Sequence, residues 1–173
     1  MGDQNDVLFT ITKKHLNTGL RGFPVGTVRT SRVDPLQGVS YVGYSVKELA
    51  NLDPEAVVYL MFNKELPDEE QLAAFKADLA SRAVLPDGIA ARVGKLPKQG
   101  HPMEWLIAGL NLMGMLGKTD DFKEDALNLI ARTPELVATI FRQRSGWGAP
   151  IESKPELGLV ENFVHMLGVP GAD

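Results

Sequence analysis

No cysteine occurs anywhere in the 173 residues. That absence excludes disulfides, thiolate metal sites and cysteine nucleophiles in one step, and it suits a reducing compartment. No stretch approaches the ~18 uninterrupted apolar residues that crossing a bilayer takes. The first residues, MGDQNDVLF, lack the basic and apolar segments of a secretory leader. The expectation is a cytoplasmic protein. Strong charge of one sign is also missing: the net charge of -4 gives no electrostatic argument for nucleic acid or an anionic membrane. Histidine is scarce, at three residues. His15, His101 and His165 have no second histidine at i+3 or i+4, and there is no HExxH, so no metal site is expected. GxSxG, Walker and GxGxxG sequences are absent as well.

What is present reads as a globular, mostly α chain, with 44% apolar and 23% charged residues. The organising stretch is His101 to Gly117, HPMEWLIAGLNLMGMLG. Pro102 fits the first turn of a helix, where a missing N–H costs nothing. Met103, Leu106, Ile107, Leu110 and Met113 repeat at i, i+3, i+4, i+7. Trp105, Ala108, Leu112 and Leu116 make the opposite side apolar too. A helix that is apolar all round must be surrounded, so part of it is expected against a partner subunit, with Leu110 buried. Gly109 and Gly114 each cost about 1 kcal/mol of helix propensity, which suggests that another backbone approaches there.

Around this helix the chain divides readily. Residues 1–18 are polar and irregular. Residues 25–43, VGTVRTSRVDPLQGVSYVG, are the one strand-like region: Val25, Thr27, Val28, Thr30 and Val33 favour extended backbone, Asp34 to Gly38 is turn chemistry, and Val39, Tyr41 and Val42 return. Ser45 and Glu48 form a capping box. Asp53-Pro54 and Asp68 open two further helices. Leu85-Pro86-Asp87 leads into a short helix with Ile89 and Val93. Lys118 to Asp121 is a polar break, after which an apolar stripe runs from Phe122 to Arg144. Pro134 predicts a kink, or two abutting helices, near Thr133. After a loop at 151–158, Leu159 begins a last helix, stopped by Gly168.

Candidate chemistry is sparse. Arg21 lies between glycines in Gly19-Leu20-Arg21-Gly22, a turn that leaves a guanidinium accessible to phosphate or carboxylate. The plainer reading is an ordinary solvated arginine. His165 reads as a packed histidine and His101 as a helix cap. Glu69/Glu70 and Asp120/Asp121 suit first-turn dipoles rather than acid–base work, and ordinary charge placement near a helix end accounts for Arg142 and Arg144.

Six segments in succession carry a family signature: GLRG (19–22), YVGYSVKEL (41–49), KELPDEEQL (64–72), HPM (101–103), LIARTPELVATIFR (129–142) and ENFVHMLG (161–168). Each is weak alone, but in this order and spacing the chain resembles the citrate synthase family from about Gly19 onward. The resemblance implies a mostly α fold, the N-terminal part of that family's large helical domain over residues 1–173, with one short β-hairpin near 25–43. It implies a homodimer through the helices near 102–116 and 121–144. It also implies a parent enzyme that condenses acetyl-CoA with oxaloacetate to give citrate and CoA. In that reaction a carboxylate removes a methyl proton and a histidine stabilises the enol. The family's catalytic and oxaloacetate-binding residues lie downstream of the NF..ML segment, so the resemblance places no catalytic residue and no metal here. Only Arg21 matches a position expected at the active cleft, as a contact to coenzyme A phosphates. The segment alone is expected to bind no cofactor and to be inactive. Three accounts follow: a piece of a full citrate or 2-methylcitrate synthase, one subunit of a split enzyme that needs a separate C-terminal partner, or a non-catalytic dimerisation module.

Overall fold

A computed structural model describes residue 7 and residues 9–19, 21–23 and 26–171. Leu20 of the GLRG turn, Val25 of the strand-like region and the end of GVPGAD lie outside them. The chain divides into two compact units, Met1–Asn51 and Leu52–Asp173.

In the first unit a short 3-10 turn, Lys13–Asn17, precedes a three-stranded antiparallel meander. Strand β1 is Ser31–Asp34, β2 is Gly38–Tyr41 and β3 is Tyr44–Ser45. The register pairs Arg32 with Ser40 and Ser40 with Ser45. The expected hairpin is therefore present but shorter, and it gains a strand. Thr27 and Val28 stay outside the ladder, and Val28 is exposed. Asp34 explains the first turn: its carboxylate accepts from the amides of Leu36 and Gln37, both at 2.9 Å, the local bonding that makes aspartate a turn residue. At the second turn Val42 and Gly43 both have positive φ, 50° and 94°. That backbone matches a hairpin's twist, but it is strained for a β-branched residue. The third strand runs straight into helix α1, Val46–Leu49, where Ser45 and Glu48 form the expected reciprocal cap.

The second unit is helical. Its elements are α2 (Pro54–Asn63), α3 (Glu69–Arg82), α4 (Ile89–Val93), α5 (Pro102–Gly117), α6 (Phe122–Ser145) and α7 (Leu159–Leu167). The capping residues do what their types dictate. Asp68 accepts from the Gln71 amide at 2.8 Å while the Gln71 side chain answers the Asp68 amide at 2.9 Å. Asp53 differs. It sits at the N-cap of α2, yet its carboxylate turns away to Lys76 at 2.6 Å, and Pro54 sets the first turn.

Helix α6 packs against α3, α4, α5 and α7. Its contribution to the core is Leu136 and Ile140, which meet Leu85, Ile89, Val93, Trp105 and Met113. A second cluster joins Ala131 to Leu79 and Ala83. Burying side chains of this size stabilises a fold by about 1.5–3 kcal/mol each. Of the kink or the two abutting helices expected at Pro134, the second does not occur: α6 is one helix of 24 residues with the proline inside it. Proline removes a single N–H, and packing on four helices outweighs that loss.

The central helix is also more one-sided than its composition predicts. Trp105, Gly109 and Met113 are buried on α5. Leu106, Leu110 and Leu112 are half-buried against the core within this one chain. Met103, Ile107, Gly114 and Met115 fall on one exposed arc. Gly109 is needed for a different reason from the one expected. A Cβ there would stand 2.7 Å from Leu136 Cδ1, so a side chain of α6, not another backbone, occupies the space. Gly114 has nothing within 4 Å and lies open.

Candidate functional site

Arg21 sits in a turn closed by its own amide, which donates to the Thr18 carbonyl at 3.2 Å. Gly19 and Gly22 on either side have φ of +56° and +83°. Only glycine takes such angles freely, which is why this arginine is flanked by glycines. Arg21 is exposed. An exposed guanidinium on a glycine-framed turn is a two-pronged donor for phosphate or carboxylate.

Two of the histidines cap helical turns. His101 caps α5, its Nδ1 accepting from the Met103 amide at 3.2 Å, and Glu104 accepts from the His101 amide at 2.7 Å. His15 does the same for the 3-10 turn, bonding to the Thr12 amide at 2.8 Å, and packs edge-on to Phe9 and Phe23. His165 is half-buried on α7. Of the paired carboxylates, Asp121 caps α6 through the Lys123 amide at 2.7 Å, and Glu69 and Glu70 stand in the first turn of α3. Among the described residues no three histidine or acidic side chains are grouped to hold a metal.

Arg142 and Arg144 stand in the last turn of α6, as expected, and each makes a further contact. Arg142 is only 7% exposed. Its Nε donates to Ala149 O at 2.8 Å, Nη2 to Trp147 O at 2.6 Å, and Nη1 to Leu167 O and Gly168 O at 3.0 and 2.9 Å. Arg144 lays its guanidinium 5.1 Å above the Trp105 ring, a cation–π contact. Asn162 and Glu55 were not singled out by sequence reasoning at all. Asn162 is buried and fixes the preceding loop, accepting from the Lys154 amide at 2.9 Å and donating to Ser153 Oγ at 2.8 Å. Glu55, buried in the first turn of α2, accepts from the Leu159 amide at 2.6 Å.

The remaining feature with functional character is apolar. Met103, Ile107 and Met115 of α5 are exposed, Met115 by 79%. Beside them a groove of 320 Å³ runs between α5 and α6, lined by Leu110, Met113, Gly114, Gly117, Leu129 and Arg132.

The family model described as citrate synthase, C-terminal domain, matches residues 19–173. This chain belongs to the citrate synthase family. It is 30% identical to citrate synthase 4, mitochondrial, of Arabidopsis thaliana, over 93% of this chain and 39% of that protein. It is 33% identical to a 2-methylcitrate synthase of Shewanella oneidensis, over 90% of this chain and 43% of that protein. The crystal structure of citrate synthase from Thermotoga maritima superposes with a TM-score of 0.76 at 26% identity, over 87% of this chain and 41% of that one. The chain thus spans about two fifths of the citrate synthases it matches.

Proposed function

We propose that this chain is a segment of a citrate synthase-like enzyme whose whole condenses acetyl-CoA with oxaloacetate to citrate and CoA, and that the segment itself supplies scaffold and homodimer surface. The observation that carries the reading is the family match over residues 19–173 together with the apolar arc of Met103, Ile107 and Met115. On this reading α5 and α6 pack against their copies, and the open backbone at Gly114 allows close helix approach. Arg21, on its glycine-framed turn, contacts the phosphates of coenzyme A. The groups that move the proton and stabilise the enol belong to the rest of the parent enzyme, in the same chain or in a second subunit.

The 33% identity to a 2-methylcitrate synthase favours a second reading of the parent, as a 2-methylcitrate synthase. The segment's part is the same under both.

Free thiol release, followed with acetyl-CoA and oxaloacetate, tests the reading. The 173-residue protein is expected to release none above background. Turnover by the purified chain alone would overturn the assignment of chemistry to the rest of the parent.

A further inference from the structure

Helix α7 is fastened at both ends by buried charges, each from a different helix. At its N-terminus the Leu159 amide donates to Glu55 Oε1 of α2 at 2.6 Å, across 104 residues of sequence. At its C-terminus the carbonyls of Leu167 and Gly168 accept from Arg142 Nη1 of α6. Glu55 is 4% exposed and Arg142 is 7% exposed. Neither forms a salt bridge with a described side chain; Lys76, which lines the same cleft as Glu55, is paired with Asp53 at 2.6 Å. The signs are those the helix dipole requires, a carboxylate at the positive end and a guanidinium at the negative end. The helix has nine residues, too few to persist in water by itself.

The connection that leads into α7 hangs from the same two anchors. Arg142 also holds the carbonyls of Trp147 and Ala149 at its start. At its end Gly158 passes close to Glu55, where an added Cβ would stand 3.3 Å from Oε1. Gly168, at φ +47°, sits so close to Arg142 and Ile151 that a Cβ would displace both. Under the N-terminal end of α7 lies a cleft of 390 Å³, lined by Asp53, Glu55, Lys76, Leu79, Gly158 and Asn162.

We infer that residues 147–168 form a strap beside the α2–α3 cleft that loosens as one cooperative unit, and that Glu55 and Arg142 are its two clasps. Buried charges of this kind are costly unless their partners stay in place. Once either clasp is lost, the strap is held only by its packing on α2, α3 and α6, and the other clasp holds a segment already loosened.

Amide hydrogen exchange of the full 173-residue protein tests this, with Glu55→Gln, Arg142→Met and the double variant. Each single variant is expected to speed exchange across 159–168 by about tenfold or more, with protection of α5 unchanged. The double variant is expected to add little beyond the larger single effect. Arg142→Lys keeps the charge but loses the fork that reaches four carbonyls, and is expected to fall between wild type and Arg142→Met. It also serves if Arg142→Met fails to fold. Effects that add fully in the double variant, or that spread equally to α5, would overturn the strap.

Discussion

In the Met1–Asn51 unit every described side-chain hydrogen bond spans four residues or fewer, from Thr12–His15 to Lys47–Asn51. In the Leu52–Asp173 unit the ties reach much further: Arg82 to Glu124 across 42 residues, Leu85 to Glu135 across 50, Leu159 to Glu55 across 104. Burial follows the same division. Among the described residues of the first unit only Leu49 is buried, whereas the second holds two apolar clusters. The first unit is therefore an assembly of turns whose shape comes from local backbone chemistry. The second is a packed core whose shape comes from side chains far apart in sequence. The contrast teaches where substitutions act: on turn geometry in one unit, on volume and buried charge in the other.

The largest expected effect lies in the core. Leu136 is 0% exposed and fills the space above Gly109. Leu136→Ala should cost about 3 kcal/mol in denaturant unfolding monitored at Trp105. Exchange at the β1–β2 amides should not change; if they lose protection equally, the two units do not differ in the way described. The next effect has the opposite sign and the opposite location. Val42→Asn should stabilise the β2–β3 turn by about 1 kcal/mol, because asparagine accepts the positive φ that valine resists. Slower exchange of the Val42 amide, which donates to Thr30 O at 3.0 Å, would report it. A loss of protection there would refute the strain.

The smallest effect separates two carboxylates of α6. Burial pushes the Glu135 carboxyl above the ordinary glutamate value, partly offset by the Leu85 amide. Its unfolded form thus gives up its proton first, and stability falls as pH rises from the ordinary value through the raised one. Asp125 is held below its ordinary value by the Thr119 amide and hydroxyl. Its contribution is present above the unfolded pKa and is lost as pH falls through the lowered one. Glu135→Gln keeps an acceptor for Leu85 and should raise stability at neutral pH by less than about 1 kcal/mol. Asp125→Asn should lower it. Melting curves between acid and neutral pH check both signs; a matching sign for the two variants would contradict the assignment.

What was legible in the sequence was local. The capping box at Ser45, the cap at Asp68, the His-Pro start of α5 and the Asp34 turn announce themselves within three residues, because their bonds close within three residues. Long-range features left no such trace. Arg142 bonds only to backbone carbonyls, which every residue possesses, so nothing at 147–149 or 167–168 points to it. Glu55 looks like any first-turn acid of α2 until Leu159 arrives from the other end of the unit. Pro134 is a further case: a kink or two abutting helices was expected from one residue, while a single continuous helix came from packing on neighbours distant in sequence. The α5 pattern was apolar on every side, and only the fold shows which side is covered within the chain. Arg21 was legible as a turn arginine from its flanking glycines alone.

The central claim is that the exposed arc of α5 is an assembly surface. The mass of the purified chain in solution, by light scattering, tests it most directly. The account predicts twice the 18.9 kDa of one chain, falling to a single chain on Ile107→Glu, a residue 56% exposed and outside the core, with helical content unchanged. A monomeric wild type, or a dimer that Ile107→Glu leaves intact, would contradict it.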